Sequence, residues 1–395
     1  MQQIRPLKIV QFVIDPFQQP VSGAELRNDA VRKALSQIAD VAVVSPQSFG
    51  VSGKRLSYSK STPTLLVPDD ACMKNFVKYI NEEIPDIILL EGVSLLKFGE
   101  QILKKGNSFF PNVILDSHNV ESALQEELVL GTASASIRKL RALLFGGGLS
   151  RAREADARAV QLFNRVLVPT RSDYRRLSNL VGPDLAKAKI RVVENIAPEW
   201  ALDHLADGGQ GAPENGRPVN RLLFAGHLRY RPNVDAVGDL LSGIWPRILS
   251  EFPEMHLRIA GRSPKSRIRR WTASGRNVEL VADPQFMADI YSACDAVIIP
   301  LRSGGGSRLK VLEALAVGKP VIATAKAVEG LDLDEGKHWL RAEAPDDYVR
   351  AVALLNESRQ CVADLVQNGR EIVRRRYGND AMEASLKSVL SEFRP

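Results

Sequence analysis

The residues most capable of chemistry lie in three short constellations, each following a run of apolar residues. The richest is DAVIIPLRSGGGSRLKVLEALAVGKPVIAT, Asp295 to Thr324. There an apolar run meets Gly304, Gly305 and Gly306, then Ser307, Arg308, Lys310 and Glu313 within a helical pattern of Leu309, Leu312, Leu315 and Ala316. Glycines at the carboxyl end of a parallel strand let backbone amides approach a ligand, and the helix start that follows favours an anion. Arg308 and Lys310 add positive charge beside that point. Glu313 suits two vicinal hydroxyls, as on a ribose, although an intrahelical pair with Lys310 is the plainer alternative, at about 0.2 to 0.5 kcal/mol. Taken alone, the segment is equally a glycine-rich connection with solvated cations. It carries neither GxxxxGK[ST] nor GxGxxG, so a P-loop ATPase is not expected.

A second constellation is RLLFAGHLRYRPNVDAV from Arg221, where Gly226 is followed by Arg229, Arg231 and Asn233. A glycine and cations at a strand end suit a diphosphate, and at least one arginine is expected to face the ligand. The bland reading leaves Asn233 as a helix cap and both arginines in solvent. The third is NVILDSHNVES, with Asp116, Ser117, His118, Asn119 and Glu121 at a strand's carboxyl end. Histidine exchanges hydrogen bonds near neutral pH, and α/β enzymes keep chemistry at this end of the strand. Here the plainer alternative is Asp116 or Ser117 as a cap and His118 as a turn residue. Nearer the start, Ser22, Gly23 and Arg27 follow a strand read as ending at Asp15. Gly23 lets a backbone approach a substrate and Arg27 suits an anion, against the ordinary turn chemistry of a strand-to-helix loop.

These segments need rigid elements behind them. Apolar runs alternate with helical patterns at Leu7 to Ile14, Val41 to Val44, Ile87 to Leu90, Val113 to Leu115, Val166 to Val168 and Ile190 to Val193. The habit repeats at Arg221 to Ala225, Leu257 to Ala260, Val278 to Val281, Ala296 to Leu301 and Pro320 to Thr324. The expectation is α/β, two Rossmann-like domains facing across a cleft, separated by the Gly, Pro and Asn-rich Asp207 to Asn220. The chain is read as an N-terminal domain over 1–200, a linker over 201–220, a second domain over 221–373 and a terminal helix over 374–395. At 395 residues it exceeds one ordinary core.

The composition, 45% hydrophobic and 25% charged, is that of a soluble globular protein, and no apolar run nears the ~20 residues that span a bilayer. A cytoplasmic location is expected. Cys72, Cys294 and Cys361 are far apart and lack CxxC spacing or His partners, so neither metal nor disulfide is expected. The net charge of +7 suits an anionic nucleotide, membrane or nucleic acid alike. Aromatics are only 6% and not interleaved with the cations, which argues against nucleic acid. Ile137 to Arg158 is strongly basic, and peripheral contact with an anionic inner membrane face is weighed there against an ordinary solvated helix that Gly146, Gly147 and Gly148 would break.

Together the segments SGAELR, ILDSHNVES, AREADARAVQLFNRVLVPTRSD, IRVVENI, AGHLRYRPNVDAV and PLRSGGGSRLKVLEALAVGKPVIATAKAVEGL resemble the GT-B class of retaining glycosyltransferases, in the branch called family four. The resemblance covers nearly the whole chain, and the last segment is its most specific part. It implies an acceptor-binding first domain, with Ser22, Gly23, Arg27, Asp116 and Asn119 as candidates, and a nucleotide-sugar-binding second domain. For the donor it implies Gly226, Gly304, Gly305, Gly306, Ser307, Arg308 and Glu313. His118 matches the family's active-site histidine, and Lys310 with Arg229 or Arg231 takes the place of its diphosphate-binding cations. Glu313 matches the second glutamate of the family's pair. The first glutamate is replaced by Gly305, which implies an altered contact to the transferred sugar. The implied reaction moves a sugar from a nucleoside diphosphate sugar to a hydroxyl of a glycan or lipid-linked saccharide, with no metal and no further cofactor. A nucleotide-sugar epimerase and a non-catalytic nucleotide-binding assembly subunit are the alternatives.

Overall fold

A computed structural model describes residues 5–14, 22–50, 57–58, 65–105, 111–130, 135–207, 218–305 and 308–393. The chain divides into two compact units, the first of residues 1–195, 305–307 and 379–395, the second of 196–304 and 308–378.

The first unit is built on six parallel strands: β1 Lys8–Phe12, β2 Asp40–Val44, β3 Ile87–Glu91, β4 Asn112–Asp116, β5 Arg165–Val168 and β6 Ile190–Val192, in the order β2-β1-β3-β4-β5-β6. β1, β3, β4 and β5 are almost wholly buried, as continuous Val, Ile and Leu runs require when helices cover both faces. Phe12, Phe76 and Phe98 meet in the core, with ring centroids 4.7 and 4.9 Å from Phe12. Pairing of β3 with β4 sets Glu91 directly opposite Asp116, so two carboxylates end adjacent strands.

Two expectations about helices need correction. Gly146, Gly147 and Gly148 do not break the basic segment: one helix runs Ala135–Leu162 and packs on helix Glu121–Leu130. Three glycines cost roughly 1 kcal/mol each, and the buried Ala152, Ala155, Ala159 and Val160 hold the helix regardless. The terminal helix also does not begin at 374. Helix Arg359–Arg376 belongs to the second unit, and after Tyr377 and Gly378 a separate helix Asn379–Ser391 belongs to the first, packed on helix Gly23–Ser36. Tyr377 makes the break because it is anchored: its hydroxyl accepts from the Asp332 amide at 2.8 Å and its carbonyl accepts from the Ala197 amide at 2.9 Å.

The second unit repeats the plan with β7 Arg221–Ala225, β8 His256–Gly261, β9 Val278–Ala282, β10 Ala296–Ile299, β11 Val321–Ala323 and β12 Leu340–Arg341, ordered β9-β8-β7-β10-β11-β12 and all parallel. The order reverses beside β7, between β8 and β10, and that is the switch point where open α/β sheets take ligands at their carboxyl ends. No helix among the described residues is long and apolar enough to cross a membrane.

Candidate functional site

At the carboxyl ends of β1, β3 and β4 the first unit gathers Gln11, Arg27, Asn28, Glu91, Asp116 and His118. Arg27 and Asp116 form a two-pronged pair, Nε to Oδ2 at 2.8 Å and Nη2 to Oδ1 at 2.7 Å, with both side chains fully buried. Arg27 Nη1 also donates to the Val193 carbonyl at 2.9 Å and to Asn195 Oδ1 at 2.7 Å. This corrects the expectation for both residues: with its charge neutralised and its guanidinium committed, Arg27 cannot meet an anionic acceptor, and Asp116 is neither a ligand group nor a helix cap. The N-terminus of helix Glu121–Leu130 is instead held by Asp156, whose Oδ2 accepts from the Ser122 amide at 2.8 Å. Burial raises the Asp156 carboxyl to about 6, against the hydrogen bonds from Ser122.

Around His118 the network is tight. Glu91 Oε1 accepts from Gln11 Nε2 at 2.5 Å, and Glu91 Oε2 lies 3.3 Å from His118 Nε2. Burial pushes the Glu91 carboxyl upward, and the Asp116 charge beside it adds to that. Gly92 follows with φ of +97°, a conformation side chains rarely adopt, and a Cβ there would stand at ordinary contact distance, 3.5 Å, from His118 Nδ1 and Cε1. Ser117 Oγ donates to the Asn119 carbonyl at 2.6 Å, while Asn119 Oδ1 is buried with no partner among the described residues. Ser22 caps helix Gly23–Ser36: its hydroxyl accepts from the Glu25 amide at 3.2 Å and its amide donates to Glu25 Oε2 at 2.8 Å. That hydroxyl is therefore engaged by the fold. Asp15 lies outside the described residues.

Glu91, Asp116 and His118 bring possible metal-ligand atoms within 4.8 Å of one another. Both Asp116 oxygens face the Arg27 guanidinium, a poor arrangement for a cation because a fixed positive charge already occupies the carboxylate.

In the second unit, Gly226 follows β7, and beyond it Asn233 and Lys310 close on one another. Lys310 Nζ donates to Asn233 Oδ1 at 2.7 Å, and Asn233 Nδ2 donates to the His227 carbonyl at 3.0 Å. A Cβ on Gly226 would stand 2.9 Å from Asn233 Nδ2 and 3.3 Å from Lys310 Nζ, so glycine makes room for this pair. Burial lowers the Lys310 amine to about 8, opposed by the charge of Glu313. Glu313 Oε2 accepts from the buried Tyr291 hydroxyl at 2.7 Å; burial raises its carboxyl, which the Tyr291 bond and Lys310 partly offset. The alternative Lys310 to Glu313 pair does not form. Lys310 turns to helix Arg231–Asp239 and Glu313 to Tyr291, so each leaves part of its hydrogen-bonding capacity for something else. Asn233 is not a cap either, since Tyr230 holds that position.

Arg308 corrects another expectation. It is buried, and its Nη2 donates to the Gly304 carbonyl at 3.0 Å and reaches Glu329 Oε2 at 3.2 Å. It ties the glycine loop down instead of pointing at a ligand. Gly304 takes φ of +111° against Pro232, which explains that glycine. Arg229 is exposed with no partner among the described residues, whereas Arg231 reaches Asp235 at 3.5 Å. Gly306 and Ser307 lie outside the described residues.

Sequence reasoning missed Gln11, Asn28, Glu91, Tyr291 and Gly261. Glu91 carried a signal, since it ends a buried run just as Asp116 does. The others are brought in from distant segments. Gly261 has φ of +151°, and a Cβ there would fall 1.7 Å from the Gly226 carbonyl oxygen, so it seats Gly226.

Residues 219–358, which hold the Gly226, Lys310 and Glu313 constellation, match the family model described as glycosyl transferases group 1. The chain as a whole has the GT-B glycosyltransferase fold: it resembles sucrose-phosphate synthase from Thermosynechococcus elongatus at a TM-score of 0.70, with 15% identity and 98% of each chain covered. TarM superposes at 0.69, with 11% identity over the full length of both. HepE from Anabaena, in complex with UDP and glucose, superposes at 0.64 with 14% identity, covering 98% of this chain and 100% of that one. In sequence, an uncharacterised 44.6 kDa protein in the cps region of Klebsiella pneumoniae is 22% identical over 174 residues. That match spans 42% of this chain and 44% of the relative.

Proposed function

We propose that this glycosyltransferase fold carries out sugar transfer from a nucleoside diphosphate sugar, with retention at the anomeric carbon, to a hydroxyl of a glycan or lipid-linked saccharide. The observation that carries the reading is the convergence of Gly226, Asn233 and Lys310 at the switch point of the second sheet, with Glu313 one helical turn beyond Lys310. In this assignment Lys310 and the amides of the Gly304 loop meet the diphosphate, joined by Arg229 or Arg231, and Glu313 accepts the ribose hydroxyls. Arg229 is the better placed, since Asp235 already draws on Arg231.

The bond from the anomeric carbon to the diphosphate oxygen breaks, the bond to the acceptor oxygen forms, and the acceptor's proton passes to a phosphate oxygen of the leaving group. Charge develops on that leaving group as the bond lengthens. A fixed ammonium and fixed amides stabilise it with no reorganisation during the reaction. His118, in the first domain, addresses the transferred sugar or the acceptor. Asn119, with an unpartnered buried carbonyl oxygen, is the acceptor-side candidate the geometry favours over Arg27 and Asp116. Retention rests on the resemblance of the loop motif, and UDP sugars are the first donors to test because UDP occupies HepE. The cps-region relative makes polysaccharide assembly the natural setting.

Incubation with UDP sugars and a panel of glycan and polyprenyl-linked acceptors, followed by chromatography, tests the reading. Consumption of donor with an acceptor-linked product supports it. Donor conversion without acceptor would mean an epimerase. Binding with neither outcome would mean an assembly subunit, for which Gly305 in place of the family glutamate is the specific supporting observation.

A further inference from the structure

Asn28 lies on helix Gly23–Ser36, one residue beyond the buried Arg27, and is itself buried. One end of its side-chain amide faces the Ala24 carbonyl at 3.0 Å, Glu91 Oε2 at 2.9 Å and His118 Nε2 at 2.6 Å. An oxygen there would oppose the lone pairs of the Ala24 carbonyl and of Glu91, so that end is the nitrogen, a donor. A donor 2.6 Å from Nε2 requires a lone pair on Nε2, and the ring proton is then on Nδ1. The opposite, Nδ1 edge of the ring lies beside Gly92, where a Cβ would stand 3.5 Å away.

Glu91 Oε2 also lies 3.3 Å from Nε2, farther than the Asn28 amide nitrogen at 2.6 Å. Gln11 on β1 donates to Glu91 Oε1 and also to the Asn28 backbone carbonyl at 3.0 Å, so both the carboxylate and the helix carrying Asn28 are fixed. Arg27 neutralises Asp116, the other charge facing this space. Within the network, the side chains of Arg27, Asp116 and Glu91 are fully buried, whereas that of His118 is 14% exposed. The network thus ends at the imidazole, and the imidazole alone reaches outward.

We infer that Asn28, steadied by Glu91 and Gln11, is a positioning residue that holds His118 as the neutral tautomer protonated on Nδ1, so that the first domain presents a hydrogen-bond donor to its substrate. This deepens the proposed transfer and rests on it for its meaning, because a donor suits a sugar or acceptor oxygen. It excludes His118 as the base for the acceptor's proton, consistent with a phosphate oxygen taking that proton. The tautomer itself is a property of the protein without substrate, and its test stands apart from activity.

Long-range proton to nitrogen correlation spectra of protein labelled with nitrogen-15 in its five histidines read the tautomer directly, His118 being assigned by its loss in His118→Gln. At pH 7 the expected pattern is a protonated, pyrrole-type Nδ1 and an unprotonated, pyridine-type Nε2. A protonated Nε2 or an imidazolium at that pH would overturn the inference. Asn28→Asp, which replaces the donor by an acceptor of the same shape, is expected to move the proton to Nε2 or to give the imidazolium. Unchanged His118 nitrogen shifts in a folded Asn28→Asp variant would equally overturn it. If that variant does not fold, the native spectrum decides alone. Failure to bind UDP would count against the proposed function and leave this result unaffected.

Discussion

Lys310 Nζ donates to Asn233 Oδ1 at 2.7 Å, joining the helix after the glycine loop to the helix after β7. This one bond fixes a cation at the switch point of the second sheet. Lys310 lies 77 residues from Asn233, so no local pattern could have paired them. With that amine committed by a single bond and two protons left, it is the group best prepared to meet a diphosphate.

Lys310→Ala and Glu313→Ala are expected to weaken UDP binding on the order of tenfold or more each, since a charge-assisted hydrogen bond contributes roughly 1.5 to 3 kcal/mol. Titration calorimetry measures this. Unchanged affinity in both variants would remove these residues from the donor site, whereas His118→Gln should leave nucleotide affinity as it is.

The Lys310 amine, lowered to about 8 by burial, gives a pH signature. A bound diphosphate favours the charged form, so the value rises on binding and a proton is taken up wherever the free amine is neutral. UDP affinity should be flat below pH 8 and fall above it, and calorimetry at pH 9 in buffers of different ionisation enthalpy should show net proton uptake. Lys310→Arg should abolish the uptake.

Arg27 and Asp116 are expected to be structural. Arg27→Met leaves a buried carboxylate without its partner and should cost about 3 to 5 kcal/mol in urea denaturation. The double variant Arg27→Met with Asp116→Leu should recover part of that loss. A cost under about 1 kcal/mol in the single variant would show that the pair does not hold this floor.

Gly261→Ala would drive a methyl group into the Gly226 carbonyl, at 1.7 Å, and displace the end of β7. The expectation is a loss above about 3 kcal/mol or failure to fold, since overpacking and forbidden backbone add. A stable variant with normal UDP affinity would contradict the role assigned to Gly261.

Much of the fold was legible because the strands are buried on both faces and stand out as Val, Ile and Leu runs. Arg221 to Ala225 is strand β7 as read, and Gly318, at φ of +72°, stands just past the end of helix Leu309–Ala316. Charges were harder. Arg308 and Arg27 looked like anion-binding groups, yet both are buried and satisfied by specific partners, those of Arg27 far along the chain, which composition cannot show. Gly146 to Gly148 looked like a break because helix propensity is local, whereas the alanine face that holds the helix depends on packing. Asn28 gave no local signal at all. It matters only because helix Gly23–Ser36 brings it against Glu91 and His118.

The most direct test of the central claim is a thermal-shift screen of the purified chain against UDP, other nucleoside diphosphates and their sugars, with Lys310→Ala alongside. At least one nucleoside diphosphate is expected to raise Tm of the native chain in a concentration-dependent way, and the shift is expected largely to disappear in Lys310→Ala. No shift with any nucleotide, or an equal shift in the variant, would contradict it.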